Sequence, residues 1–368
     1  MLRLTFLGTS AGVPTKQRNV TALAIECLNP YLAGVKPPSK KNRPWLLIDC
    51  GEGTQQQLLH TKLSLHQLTA ICITHVHGDH CYGLPGLLAS AAMSGRTAPL
   101  TIIAPKAIAT LLDAVTLTTE LTFPFVIHFM AIEALLSQQA GTTVINIEQL
   151  DHQQTLAIDI TPLSHRVPSH AFGITQTIYH RVLNTAKLQA DAIAASHLWG
   201  KLQRGEDVIT EEGRRLLSID YVESQTQRTR IVVAGDNDTP HCLIAALTDT
   251  DLLVHEATYT AEALAKIQQK TQRFDGDNAF DPMHSSAAQV GKFAQQLGLP
   301  NLILTHFSAR YQSFDNPKSR TANMGHLRIE TQSVYQGNLW LAADFAQYVV
   351  NGAADKRVQY LGSALEST

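Results

Sequence analysis

The stretch Ala70-Ile71-Cys72-Ile73-Thr74-His75-Val76-His77-Gly78-Asp79-His80, running on into Gly83-Leu84-Pro85-Gly86-Leu87-Leu88, decides how this chain is read. Four apolar residues closed by a polar turn have the signature of a buried strand, and the Leu-Pro step after Gly83 opens a helix. Between the two, imidazoles and a carboxylate alternate in a turn that can aim them all to one side. Neutral imidazole and carboxylate form the ligand set that suits Zn²⁺ or a neighbouring divalent ion. An ordinary surface turn has no use for this spacing, so His75, His77, Asp79 and His80 are candidate metal ligands. Four donors do not complete two tetrahedral sites. Partners must come from other loops.

Apolar runs of the same kind recur at Leu2 to Leu7, Trp45 to Ile48, Leu100 to Ala104, Ile231 to Ala234, Leu252 to Val254 and Leu302 to Leu304, with helical stretches between them. Buried strands flanked by helices place the chain in the α/β class. Asp49, Thr74-His75, Gly235-Asp236, His255-Glu256 and Thr305-His306 stand where these runs end, and open α/β sheets gather their chemistry at such ends. Asp236 is the best further carboxylate, because one carboxylate can bridge two cations and reduce their repulsion. His306 closes its strand in the same manner. Zincin chemistry is excluded, since H-E-x-x-H starting at His255 would need a histidine where Tyr259 stands.

With 368 residues, 44% hydrophobic and 16% charged, the chain can bury a full core and reads as one large unit with excursions. No apolar stretch approaches the roughly 18 residues of a membrane span, and Met1 to Phe6 has no signal-peptide pattern, so a cytoplasmic protein with no membrane partner is expected. Five scattered cysteines without a C-x-x-C pair suggest neither a disulfide framework nor a zinc knuckle. The net charge of −2 means that any binding of nucleic-acid phosphates has to come from local basic clusters.

Two segments break the rhythm. Asn29 to Pro44 carries Lys36, Lys40, Lys41 and Arg43 with four prolines and no acid, and reads as an extended basic loop whose default role is a solvated insertion. Arg181 to Arg230 is polar and mixed in pattern, an excursion from the core.

The H-x-H-x-D-H turn resembles that of the metallo-β-lactamase superfamily, and further motifs narrow the likeness to ribonuclease Z. Phe6 to Asn19, containing Pro14-Thr15-Lys16-Gln17-Arg18-Asn19, is similar to that family's N-terminal signature. His255-Glu256-Ala257-Thr258, His284-Ser285-Ser286 and Leu304-Thr305-His306-Phe307-Ser308-Ala309-Arg310-Tyr311 follow in the family's order. The resemblance implies an αβ/βα sandwich over residues 1–350, a protruding tRNA-binding arm within 181–230, and a C-terminal tail at 351–368. It implies two Zn²⁺ per chain, one held by His75, His77, His165 and Asp236, the other by Asp79, His80, His306 and the shared Asp236. His170 and His152 compete with His165 for its place. The implied reaction removes the 3′ trailer of precursor tRNA by attack of a metal-activated water. Asp79 would orient that water, and His284 would be the general acid, with its tautomer fixed by Glu256. Lys16, Arg18 and Asn19 would meet the tRNA 3′ end. A homodimer acting on RNA, with no DNA partner, completes the expectation.

The chain departs from the family pattern in places. Ser196-His197 replaces a Gly-Pro pair before Leu198-Trp199-Gly200, Asn237 replaces Thr after Asp236, and Ser286 replaces Thr after Ser285. A small-molecule phosphodiesterase, arylsulfatase or lactonase would share the His/Asp cluster and is the rival reading. A non-catalytic RNA-binding module is disfavoured by the complete ligand set.

Overall fold

A computed structural model describes residues 1–32, 43–138, 145–146, 154–275, 282–352 and 357–367. Lys36, Lys40 and Lys41 of the basic loop and His152 lie outside the described residues.

Two sheets face one another. In the first, the strands run in the order Arg357–Ser363, Ala346–Asn351, Leu2–Gly8, Ala22–Cys27, Trp45–Ile48, Leu68–Cys72, Leu100–Ala104 and Ile127–Ala131. In the second the order is Asn338–Leu341, Asn301–Thr305, Leu252–Glu256, Val222–Ala234, Ser169–Leu183, Gln154–Leu163 and Ile145–Asn146. Each sheet contains a parallel run of four strands, Trp45–Ile48 to Ile127–Ala131 in one and Val222–Ala234 to Asn338–Leu341 in the other.

Side-chain alternation builds three layers of core. Leu4, Phe6, Leu46 and Ile48 point from the first sheet into the sandwich, where they meet Phe172, Ile231, Val254 and Ile303 of the second. Their neighbours Leu7, Leu47, Ile71 and Ile73 point outward beneath the helices Leu84–Met93 and Lys106–Thr119. Val232, Leu253, Leu302 and Leu304 do the same beneath Ala287–Gln296 and Met324–Gln332. A buried ion pair, Arg230 with Asp159, crosses the second sheet, and Gly173 makes room for it: a Cβ there would lie 2.2 Å from an Asp159 oxygen.

The excursion is narrower than its sequence suggests. Arg181 to Leu183 and Val222 to Arg230 belong to two long strands that stay in register from Ala171↔Ala234 out to Leu183↔Val222. The arm proper is Asn184–Tyr221, with helices Thr185–Ala190 and His197–Arg204 closed over a small core of Leu188, Ile193, Leu202, Val208, Leu216 and Tyr221. Ser196, in place of the Gly-Pro pair's first half, caps the second helix by accepting the Leu198 N–H. The expected tail is also partly sheet. Arg357–Ser363 pairs antiparallel with Ala346–Asn351 as an edge strand. Among the described residues no helix is long and apolar enough to cross a membrane.

Candidate metal centre

Strand ends bring the polar groups together. His75 and His77 follow Leu68–Cys72, and Asp79 and His80 lie in the short helix Gly78–Cys81. His165 follows Gln154–Leu163, Asp236 follows Val222–Ala234, and His306 follows Asn301–Thr305. Gly235 lets Asp236 come close to the histidine turn, since a Cβ on it would sit 2.6 Å from the Thr74 side chain.

The outer ring nitrogens are fixed by partners that leave only one tautomer. Nδ1 of His80 lies 2.7 Å from the Asp49 carboxylate, which only accepts, so the proton is on Nδ1. Thr74 donates its hydroxyl proton to Asp49 (2.9 Å) and therefore accepts from His75 Nδ1 at 3.0 Å. Thr258 donates to Glu256 and accepts from His306 Nδ1 at 3.1 Å. His165 Nδ1 donates to the Met283 carbonyl at 2.9 Å. Four Nε2 atoms consequently point inward, and with the rings neutral each offers its lone pair there.

They point at one another and at two carboxylates. His77 Nδ1 lies 3.1 Å from His75 Nε2 and 3.3 Å from His165 Nε2, while Asp236 Oδ2 is 3.6 and 3.7 Å from those two Nε2 atoms. On the other side His80 Nε2 and His306 Nε2 are 3.2 Å apart, both 3.4 Å from Asp236 Oδ1, with Asp79 Oδ2 at 3.5 and 3.3 Å from them. Facing lone pairs repel unless a cation stands between them. Donors about 2.0–2.1 Å from a tetrahedral zinc would be about 3.3 Å from each other, so the spacings fit the donor set to a divalent ion. The ligand atoms of His75, His77, His165 and Asp236 lie within 4.8 Å of one another, as do those of Asp79, His80 and His306, and Asp236 presents Oδ2 to His75 and His165 and Oδ1 to His80 and His306.

The electrostatics agree with that geometry. Burial disfavours a charge on His80, yet Asp236, Asp49 and Asp79 raise its pKa well above the ordinary value. Burial, followed by His80's charge, drives His75 well below it. Burial also works against ionising Asp236, but His306, His80 and His75 hold it ionised far below the carboxylate range. Such a cluster calls for positive charge at its centre.

His284 borders the cluster. Its Nδ1 donates to Glu256 at 2.9 Å and lies 3.9 Å from Asp236 Oδ2. Burial lowers its pKa, but the Glu256 charge and hydrogen bond outweigh this and lift it to about 9. Glu256, completely enclosed, also accepts from Asn237 N and Thr258 Oγ1 and is held ionised below its usual range, mainly by His284 against the opposing effect of burial. The cap of the following helix is Ser286, not His284. The competing His170 turns away to donate to the Thr74 carbonyl, and His255 is buried against Glu256 O and Asn237. Cys81 donates to Val76 O, with burial pushing its thiol up to about 11.

The N-terminal signature folds over this rim. Ser10–Ala11 pairs with Phe307–Ser308, and the Gly12 N–H donates to Asp79 Oδ2 at 2.7 Å. Lys16 is exposed, whereas Arg18 departs from the expectation of a substrate contact: it is 5% exposed, and its guanidinium donates to the carbonyls of Tyr311 (2.6 Å) and Ser308 (3.3 Å). Arg18 thus joins two loops. Asn19 is half-buried, donating to Asp344 from its backbone and to Glu52 O from its side chain. Sequence reasoning placed Asp49 at the rim without a role and missed Thr258 and Asp344 as loop anchors. Asp49's position at the end of the neighbouring strand was the available signal.

The comparisons with known proteins fit this picture. A profile of the family described as "Anti-Pycsar protein Apyc1" matches residues 39–192. The chain is 43% identical over 347 residues to Ribonuclease Z of Marinobacter nauticus, covering 94% of this chain and 96% of that protein. Among solved structures, human tRNase Z, short form, superimposes with a TM-score of 0.54 at 22% identity, covering 94% of this chain and 98% of that one. The metallo-β-lactamase fold protein YhfI of Bacillus subtilis does so with 0.54 at 17%, covering 93% and 97%. These likenesses to solved structures show the fold, a metallo-β-lactamase sandwich, and the sequence identity across nearly the whole length of the relative shows the family: the chain belongs to the ribonuclease Z family.

Proposed function

We propose that the protein is a zinc-dependent endoribonuclease that removes the 3′ trailer from precursor tRNA. The observation that carries this reading is the pair of donor sets sharing Asp236, with the His284–Glu256 pair beside them. His75, His77, His165 and Asp236 would hold one Zn²⁺, and Asp79, His80, His306 and Asp236 the other. Bound there, the cations would act as Lewis acid on the phosphate oxygens and lower the pKa of water. Asp79, fixed by the Gly12 N–H, orients the attacking water or takes its proton. His284, whose pKa Glu256 lifts to about 9, keeps one proton on Nδ1 against Glu256 and in its acid form offers the other from Nε2 to the leaving oxygen. Lys16 and Asn19 would meet the tRNA 3′ end, and we place the protein in the cytoplasm as a homodimer.

The test is incubation of purified, metal-quantified protein with a 3′-extended tRNA precursor and, separately, with bis-p-nitrophenyl phosphate. Cutting of the precursor at one position supports the proposal. One observation favours the rival small-molecule phosphodiesterase: between Asn184 and Tyr221 five basic residues meet six acidic ones, and Arg204, Arg214 and Arg215 are ion-paired within the arm. Hydrolysis of the small diester with an intact precursor would establish that rival instead.

The arm has its own test. Its core is self-contained, so replacing Thr185 to Asp220 by a short Gly/Ser linker leaves the Leu183↔Val222 pairing in place. A remote grip adds avidity of about 10² or more to the contacts at the scissile bond. The variant should process precursor tRNA at least about 10²-fold less efficiently in kcat/KM while still hydrolysing bis-p-nitrophenyl phosphate. Unimpaired tRNA processing would make the arm irrelevant to recognition.

A further inference from the structure

A cavity of about 650 Å³ lies between the helix Ala261–Asp275, the loop through Pro317 and Arg320, and the helix Met324–Gln332. Its connection to the site is direct. The Tyr259 ring is 6.2 Å from the His284 ring edge-on, and the Arg310 guanidinium, which also lines the cavity, lies 4.9 Å from the centre of the same tyrosine ring. Tyr311, which shares the wall, accepts the Thr260 N–H at its hydroxyl and so fixes the helix start against the loop.

The charge of this cavity is unbalanced. Its two acids are occupied: Glu262 pairs with Lys266 one turn on, and Glu330 accepts the backbone N–H groups of Ala261 and Ala288 at 2.9 Å each. Lys270, Arg310 and Arg320 have no ion pair among the described residues. His326 on the same wall accepts the Asn323 N–H at Nδ1, so its own proton is on Nε2. Exposed Ile329 and half-buried Ala263 supply apolar wall between the cations. Cations spaced along an apolar surface suit a polyanion whose phosphates alternate with sugar faces. In the arm Arg204, Arg214 and Arg215 are already ion-paired, so these cations are a separate set that stands beside the active site.

We propose that this groove seats the RNA backbone on the side of the scissile bond that carries the leaving oxygen, with Lys270 and Arg320 as phosphate contacts. The inference rests on the ribonuclease reading. Its polarity follows from the chemistry: the acid that protonates the leaving oxygen is His284, so the strand bearing that oxygen passes on His284's side, and the groove is joined to His284 through Tyr259 and Arg310. In precursor tRNA that strand is the 3′ end of the mature acceptor stem, which departs with a free hydroxyl, while the phosphate stays on the trailer.

The experiment compares wild type with Lys270→Glu/Arg320→Glu, and with the milder Lys270→Gln/Arg320→Gln, in binding a fluorescent 3′-extended tRNA precursor over a range of salt concentrations. Unlabelled mature-length tRNA and the free trailer oligonucleotide serve as competitors. Metal content and the melting transition check that each variant is folded. Charge reversal should weaken binding of precursor and of mature-length tRNA by at least about tenfold, and reduce the slope of log K against log salt by about 1.5 for two lost contacts. The Gln variant should show a smaller change of the same sign, and the trailer should compete as before. Unchanged affinity and slope in both variants, or a loss confined to the trailer, would overturn the proposal. A wild type that neither binds nor cuts the precursor sinks the ribonuclease reading itself, and is distinguished by that first control.

Discussion

Replacing Asp236 with Ala is expected to remove metal and RNA cleavage together. Asp236 presents Oδ2 to His75 and His165 and Oδ1 to His80 and His306, so its carboxylate belongs to both donor sets. Without it, two cations held by neutral imidazoles would have only Asp79 left among the direct donors to offset their repulsion. Elemental analysis should find close to two divalent ions per wild-type chain and one or fewer in the variant. Lewis-acid stabilisation of several kcal/mol, at about 1.4 kcal/mol per tenfold, puts the loss in precursor cleavage at about 10³-fold or more. Asp236→Asn is the control for shape: it fills the same space with one acceptor oxygen instead of two and should fall nearly as far. Because an ion that binds only the folded chain stabilises it, a chelator should lower the melting temperature of the wild type and leave that of Asp236→Ala nearly unmoved. A variant that kept two ions and full activity would end the shared-carboxylate arrangement.

The donors that make this prediction possible were open to reading because most of them stand in one turn or directly at the end of an apolar run. Trp45–Ile48 and Leu100–Ala104 occur with the bounds their apolar runs suggest. Other strands were hidden. Ala22–Cys27 carries Glu26, whose charge breaks the apolar pattern but is met by Arg3 on the paired strand. Ser169–Leu183 changes character along its length, since its first half faces the sandwich and its second half leaves the core to carry the arm. No local periodicity can report that change. The same limit applies around the site. The partner of His80 is Asp49, 31 residues earlier, and the bond exists only because Trp45–Ile48 and Leu68–Cys72 lie side by side. Arg18 shows the converse: its residue type suits a phosphate, but its direction is set by carbonyls nearly 300 residues later.

His284→Ala should separate catalysis from metal binding. The ring's Nδ1 is committed to Glu256, and Thr258, which also donates to Glu256, accepts from His306, so the acid and one of the candidate ligands are held by a single buried carboxylate. Removing the imidazole should leave both ions in place and lower kcat for precursor cleavage by on the order of 10²–10⁴, the usual share of a positioned general acid. Loss of metal instead would make His284 a ligand. Glu256→Gln tests how the acid is tuned. With Glu256 ionised, His284 is lifted to about 9; without that charge, burial, which favours the neutral ring, is opposed only by the more distant Asp236 and the pKa drops. The acid form is then lost at lower pH, so the alkaline limb of the kcat profile should move toward acid in Glu256→Gln. Bound cations beside Asp236 push His284 the same way in both proteins, which makes the shift between the two profiles, and not their absolute position, the quantity to compare. A residue with a merely structural role would lower the rate at every pH and leave the limb where it stands, so a parallel profile would remove Glu256 from proton transfer.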